Sequence, residues 1–150
     1  MSAKDHHAAA RRPAACAVIT ASDTRTPETD TSGQRIRALL EQGGHTVVAY
    51  GILPDDPSRI GQRLDELLGD PAVDAVIVNG GTGLAPRDTT YEAVAARLEK
   101  RIDGFGELFR SLSFAEIGAA AMLSRAVAGV ARGRIVASLP GSTAAVELAM

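Results

Sequence analysis

Between Val73 and Glu92 an aliphatic run gives way to a glycine turn and then to a helix start, and this passage constrains the fold more than any other. Val73, Val76, Ile77 and Val78 read as a strand buried on both faces. Asn79 opens a turn in which Gly80, Gly81 and Gly83 free the backbone to adopt positive φ and to expose its N–H groups. Thr89 with Glu92 three residues later forms a capping box, which starts a helix. Strand, glycine turn and helix N-terminus in that order make an anion site: converging N–H donors and a positive helix end suit a phosphate. Pro86-Arg87-Asp88 sets a cation and a carboxylate beside it. The same glycines also serve a tight strand-to-helix turn on steric grounds alone; Arg87 and Asp88 favour a ligand. A Walker A loop is excluded, because no lysine follows these glycines. A dinucleotide fingerprint is excluded too, because Pro86 stands where its third glycine belongs.

A strand of this kind needs helices on both faces, and the composition supplies them. Of 150 residues 45% are hydrophobic, yet only 3% are aromatic and none is Trp, so the core is Val, Ile, Leu and Ala. That bias suits a parallel sheet covered by helices better than a sandwich. A chain of this length is one domain, long enough to bury roughly 68–70% of its unfolded surface. A net charge of −2 leaves no footprint for nucleic acid. The single Cys16 excludes an internal disulfide, reads as a small buried core residue, and fits a reducing, cytoplasmic setting. No apolar run is long enough to span a membrane. Met1 to Pro13 is expected to be a disordered tail: His6-His7 is too short for a metal tract, and Arg11-Arg12 precedes no signal-type segment. Residues 14–150 then form a single domain.

In chain order, Ala14 to Ala21 is the first strand and Ser22 to Asp30 a polar loop. Thr31 with Gln34 forms a second capping box, opening a helix with Ile36, Leu39 and Leu40 on its apolar face. Gly43-Gly44 ends that helix, and Thr46 to Leu53 is the second strand. Asp56 as N-cap and Pro57 at the first helical position start a helix bearing Ile60, Leu64, Leu67 and Leu68. With the organising stretch this gives β-α-β-α-β-α, a parallel α/β sheet with right-handed crossovers and a three-layer α/β/α architecture. From Ile102 the pattern changes. Gly104-Phe105-Gly106-Glu107 precedes a short helix at Leu108, Phe109 and Leu112, and Ala115 to Ser124 forms a second one. Ala126 to Ala131 and Arg134 to Leu139 make a hairpin turning at Arg132-Gly133. The second of these strands runs into Pro140-Gly141-Ser142-Thr143 and a last helix. This is a second glycine turn at a strand end, so two anion-friendly turns meeting at the carboxyl edge of the sheet would hold more than one phosphate group.

Several stretches taken in order resemble the molybdenum cofactor biosynthesis family that includes molybdopterin adenylyltransferases and the bacterial B-type proteins. They are Asp30-Thr31-Ser32-Gly33, Pro54-Asp55-Asp56, Gly80-Gly81-Thr82-Gly83, Arg87-Asp88, Gly104-Phe105-Gly106-Glu107-Leu108-Phe109-Arg110, Leu123-Ser124-Arg125-Ala126-Val127-Ala128-Gly129 and Leu139-Pro140-Gly141-Ser142. Ser113-Phe114-Ala115-Glu116-Ile117-Gly118 leans toward the B-type branch. The resemblance implies homotrimers, often paired into homohexamers, that bind molybdopterin, a pterin with a dithiolene and a terminal phosphate. It further implies that this phosphate takes AMP from Mg²⁺-ATP with release of pyrophosphate, and that Asp55 and Asp88 match the carboxylates of that chemistry. Other molybdenum cofactor biosynthesis proteins are implied partners. Relatives generally continue the last helix beyond the point at which this chain stops, so that helix is expected to be truncated at Met150. A catalytically weak molybdopterin-binding scaffold is the alternative reading.

The residues themselves are consistent with such chemistry. A phosphate monoester is already ionised near pH 7, so its attack on ATP needs no general base, and positioning and charge neutralisation suffice. Mg²⁺ uses one or two carboxylates plus substrate phosphates, a role open to Asp55 and Asp88. Arg87 and the amides of Gly80, Gly81, Thr82 and Gly83 suit the phosphates, with Pro140, Gly141 and Ser142 forming the second turn. Ser22 lines the same edge. Glu107 is a candidate for pterin N–H groups, although it reads first as a solvated carboxylate at a helix start. Asp56 reads as a helix cap rather than a ligand, and Arg125 as either a surface ion-pair residue or a subunit contact. A receiver-type phospho-acceptor domain is disfavoured: Asn79 ends the third strand where an acidic residue belongs, and lysine occurs only at Lys4 and Lys100.

Overall fold

A computed structural model describes residues 2–5 and 12–150. The expected disorder of the N-terminal tail lies mostly outside the described residues. Six strands form one sheet in the order β2-β1-β3-β6-β5-β4. They are β1 (Ala15–Ala21), β2 (Thr46–Leu53), β3 (Ala75–Asn79), β4 (Lys100–Arg101), β5 (Val127–Ala131) and β6 (Arg134–Leu139). β1 pairs in parallel with β2 and β3, and β3 with β6, while β5 runs antiparallel to both β6 and β4. The helices are α1 (Thr31–Gln42), α2 (Pro57–Gly69), α3 (Thr90–Ala95), α4 (Asp103–Ile117) and α5 (Thr143–Ala149), with a 3-10 helix at Gly118–Leu123. The mixed sheet, parallel except at its C-terminal hairpin and flanked by helices, is the expected architecture.

Alternation along the strands divides the core into two layers. Ala17, Ile19, Val76, Val78 and Val136 pack with Ile60, Leu64 and Leu68 of α2 and Val94 of α3. Cys16, Val18, Ile77, Ala137 and Leu139 face the other way, against Ile36 and Leu40 of α1 and Val146 of α5. Burial pushes the Cys16 thiol above its ordinary range, so it stays a protonated apolar filler. No helix among the described residues is long and apolar enough to cross a membrane.

Four sequence expectations are corrected locally. The N-cap of α1 is Asp30 rather than a Thr31 capping box: the Asp30 carboxylate accepts from Gly33 N at 3.0 Å. α3 starts where expected, but the Thr89 hydroxyl makes no cap bond and instead donates to Asp55 Oδ1 at 3.3 Å. The region after Ile102 forms one 15-residue helix, α4, with Gly104 and Gly106 inside it. Gly106 is there for contact, since a Cβ would lie 2.8 Å from the Ala126 carbonyl oxygen. The helix stops instead at Gly118, at φ +67, and the Ala-rich segment continues as a 3-10 helix. The two-residue edge strand β4 went unanticipated because so short a segment carries no periodicity. By contrast Asp56 caps α2 as read, accepting from Arg59 N at 3.0 Å. The hairpin turns where expected, with Arg132 at φ 48 and Gly133 at φ 74.

Candidate functional site

The strand order reverses direction at β1, whose neighbours β2 and β3 lie on opposite sides of it. All four mutually parallel strands end at the same edge, which is where open α/β sheets place ligands. A cavity of about 370 Å³ opens there, lined by Ser22 and Arg25 after β1, Asn79 to Gly83 and Asp88 after β3, and Gly141 and Ser142 after β6.

The turn after β3 is shaped by what crowds it. Gly80 adopts φ 92, and a Cβ there would run into the Ala21 carbonyl oxygen. Gly81 adopts φ 63, and its missing side chain leaves room for Thr90 Oγ1 and the Asp55 carboxylate. Gly80 N is spent on Leu139 O at 3.0 Å, tying the turn to the end of β6. The following N–H groups of Gly81, Thr82, Gly83 and Leu84 meet no acceptor among the described residues. A run of unpaired amides of this kind is an anion concavity. The second turn adjoins the first directly: a Cβ on Gly141 would lie 3.1 Å from Gly80 Cα. Ser142 caps α5 by accepting from Ala145 N at 3.1 Å.

The floor beneath the cavity is a buried polar network. Asp30 is fully buried, and its carboxylate accepts from Thr20 Oγ1 at 2.7 Å, Tyr50 OH at 2.6 Å and Arg25 Nη1 at 3.3 Å. Burial acts to raise the Asp30 carboxyl, but the bonds from Tyr50, Thr20, Gly33 and Arg25 together outweigh it and hold the group below its usual range. Burial and the adjacent Asp30 carboxylate push the Tyr50 phenol up to about 12. Asn79, also fully buried, donates to Thr20 Oγ1 at 2.9 Å and accepts from Ser32 Oγ at 2.8 Å. Arg25 bridges this network to the cavity, donating to Ser32 Oγ at 2.6 Å and to Gly141 O at 3.2 Å. Sequence reasoning missed Arg25, Asn79 and Asp30 as parts of the site. The Asp30-Thr31-Ser32-Gly33 stretch was the available signal.

The expected site residues fall into two groups. Ser22, Gly80, Gly81, Thr82, Gly83, Asp88, Gly141 and Ser142 are brought together around the cavity. The Ser22 hydroxyl oxygen accepts from Arg25 N at 3.0 Å and so also shapes its own loop. Asp55 stands behind Gly81 and holds α3, with Oδ1 accepting from Thr89 N at 3.4 Å and Thr90 Oγ1 at 3.1 Å. Asp88 Oδ2 accepts from Ala85 N at 3.0 Å. Arg87 is exposed and Pro140 half-buried, and both stand outside the lining. Glu107 is exposed and lines a separate cavity of about 200 Å³ with Tyr91, Arg101 and Arg110. Among the described residues no three His, Cys, Asp or Glu side chains cluster to hold a metal by themselves. Mg²⁺ ordinarily takes one or two carboxylates from a protein and its remaining ligands from water and phosphate oxygens, a donor set that Asp55 and Asp88 match in kind.

Arg125 is the ion-pair residue its sequence position suggested, with Glu92 as its partner, and it does more. It holds the glycine turn, donating from Nε to Thr82 O at 2.9 Å and from Nη2 to Gly83 O at 2.6 Å. It also pairs with both Glu92 carboxylate oxygens and lies 4.8 Å from the centre of the Tyr91 ring. The Arg125 guanidinium holds the Glu92 carboxyl below its usual range.

Fold and site define an α/β protein with a cleft between two adjoining glycine turns where its strand order reverses. Residues 17–150 match the family model described as "Probable molybdopterin binding domain", and the chain belongs to this molybdenum cofactor biosynthesis family. It is 53% identical to the molybdenum cofactor biosynthesis protein B of Halalkalibacterium halodurans, an alignment covering all of this chain and 89% of that one. A crystal structure of a molybdenum cofactor biosynthesis protein B superposes with a TM-score of 0.90 at 50% identity, over 94% of this chain and 88% of that one. The tungsten cofactor synthesizing protein of Pyrococcus furiosus gives 0.84 at 36% identity, over 93% and 89%.

Proposed function

We propose that this protein binds the terminal phosphate of molybdopterin in the cleft and transfers AMP to it from ATP. The observation that carries the reading is the contact between the two glycine turns, Gly80 against Gly141, beside a run of unpaired amides from Gly81 to Leu84. Two adjoining turns suit a substrate pair that brings several phosphate groups together. A phosphate oxygen of molybdopterin attacks the α-phosphorus of ATP, forming the new P–O bond as the bond to the β-phosphate oxygen breaks and pyrophosphate leaves. The turn amides fix both phosphates and neutralise charge that grows on the equatorial oxygens. Asp55 and Asp88 would hold Mg²⁺, which supplies charge neutralisation for the leaving pyrophosphate. No residue of the chain need take up a proton, because the attacking monoester is ionised at neutral pH.

The test is to incubate the protein with molybdopterin and Mg²⁺-ATP and to measure pyrophosphate. The wild-type chain should release it, and Asp55→Asn and Asp88→Asn should each lower the rate by on the order of 100-fold or more. Wild-type release no greater than that of Asp88→Asn would overturn the transferase reading.

One observation favours a binding-only scaffold instead. One oxygen of each carboxylate is already spent inside the protein, Asp55 Oδ1 on Thr89 and Thr90 and Asp88 Oδ2 on Ala85. Under that reading molybdopterin still binds and both Asn variants bind it as tightly as wild type. Under either reading we propose assembly into trimers or hexamers through α4 and the 3-10 helix after it. These elements leave Leu108 67%, Phe114 63% and Met122 75% exposed, apolar surface that packing against another copy would remove from water.

A further inference from the structure

We infer that Arg125 is a positioning residue for the phosphate cleft: it sets the direction of the Gly83 and Leu84 amides by holding the carbonyls on the far side of the same peptide planes. The inference rests on the reading of the cleft as a phosphate site. A trans peptide carries its C=O and N–H on opposite sides, so fixing one fixes the other. Arg125 Nε holds Thr82 O at 2.9 Å, and the N–H of that plane belongs to Gly83. Arg125 Nη2 holds Gly83 O at 2.6 Å, and the N–H of that plane belongs to Leu84. Both amides are thereby turned away from the guanidinium, and both lack an acceptor among the described residues. Gly83, unlike Gly80 and Gly81, does not adopt positive φ, and as a glycine it loses more conformational freedom on ordering than any other residue. A fork with two fixed donors supplies the missing restraint.

The guanidinium is itself anchored. Its remaining contacts go to both oxygens of Glu92 and to the face of Tyr91, neighbouring residues of the helix that follows the loop. Of its five N–H donors, the bonds to Thr82, Gly83 and Glu92 occupy four. Arg125 also lies outside the lining of the cleft. It therefore acts through the loop and not as a charge on the ligand. Lysine at this position keeps the charge but loses the fork, and this separates the two roles.

The experiment uses the full chain with Mg²⁺ and inorganic pyrophosphate as the probe. Binding is measured by calorimetry for wild type, Arg125→Lys and Arg125→Gln, with thermal midpoints recorded alongside. Both variants should bind roughly tenfold or more weakly than wild type, and within about threefold of each other. Arg125→Lys binding close to wild type while Arg125→Gln fails would mean a simple charge contribution and overturns the inference. Should either variant fail to fold, the wild-type chain decides: pyrophosphate should shift the Gly83 and Leu84 amide resonances, and binding that leaves both unmoved overturns it. A wild-type chain that binds neither pyrophosphate nor molybdopterin overturns the phosphate-site reading itself, a result distinct from failure of Arg125 alone.

Discussion

Asp30 shows how much a single buried side chain can be asked to do. Its carboxylate caps α1, receives the Thr20 and Tyr50 hydroxyls, and pairs with Arg25, so it ties β1, β2 and the loop before α1 together at one point. The consequence is a definite pH dependence. The folded-state carboxyl lies below its usual range, so its contribution is complete above the unfolded value of about 3.9 and is lost as pH falls through the lower folded value. The Tyr50 phenol has the opposite sign: raised to about 12, it contributes fully below about pH 10 and loses that contribution as pH rises toward 12. Tyr50→Phe should cost about 1–2 kcal/mol at neutral pH, raise the midpoint of acid unfolding, and abolish the part of alkaline destabilisation that Tyr50 causes. Denaturant titrations from pH 3 to 12 check all three, and a variant whose acid midpoint stays put would refute the shared-carboxylate account. None of this was visible from the Asp30-Thr31-Ser32-Gly33 stretch, because the partners Thr20 and Tyr50 are brought in by other strands.

At the scale of elements, the site is two strand-to-helix turns pressed together by the pairing of β3 with β6. Register places Asn79 opposite Leu139, so the residues that follow each strand must meet. Gly141→Ala puts a methyl group 3.1 Å from Gly80 Cα and should part the turns by a few tenths of an ångström. Pyrophosphate affinity is expected to fall by roughly tenfold, about 1.4 kcal/mol, with little change in thermal midpoint. Unchanged affinity in that variant, read by calorimetry, would separate the two turns functionally. Both turns, the cap at Asp56 and the hairpin at Arg132-Gly133 were legible in sequence, because glycine, proline and side-chain caps act over a few residues. α4 was not. Its glycines look like punctuation, and only the passage of the Ala126 carbonyl beside Gly106 reveals that this one serves packing.

For the whole molecule, the sheet is covered on both faces, but α4 buries only Gly106, Phe109 and Ser113. Its exposed apolar residues lie on two flanks, Leu108 and Leu112 lining one recess with Phe105 and Leu148, and Phe114 lining another with Met122 of the 3-10 helix. These apolar flanks are where the proposed assembly would bury surface against another copy of the chain. Leu112→Glu combined with Phe114→Glu should convert the assembly to monomers, as judged by sedimentation velocity, while the pyrophosphate affinity of each chain stays within about threefold. Sedimentation of the wild-type chain as a monomer would remove the case for assembly.

What the sequence determined by itself was the set of elements and their chemistry. An aliphatic, aromatic-poor composition requires a helix-covered sheet, and glycine turns at strand ends create amide-lined bends, since both follow from forces that act within a few neighbouring residues. What only the tertiary structure decided was who meets whom. Strand order brought Gly141 against Gly80, carried Arg25 and Arg125 to the carbonyls of the two turns, and sent Glu107 to a different cavity. These are encounters between residues far apart in the chain, and no local propensity encodes them.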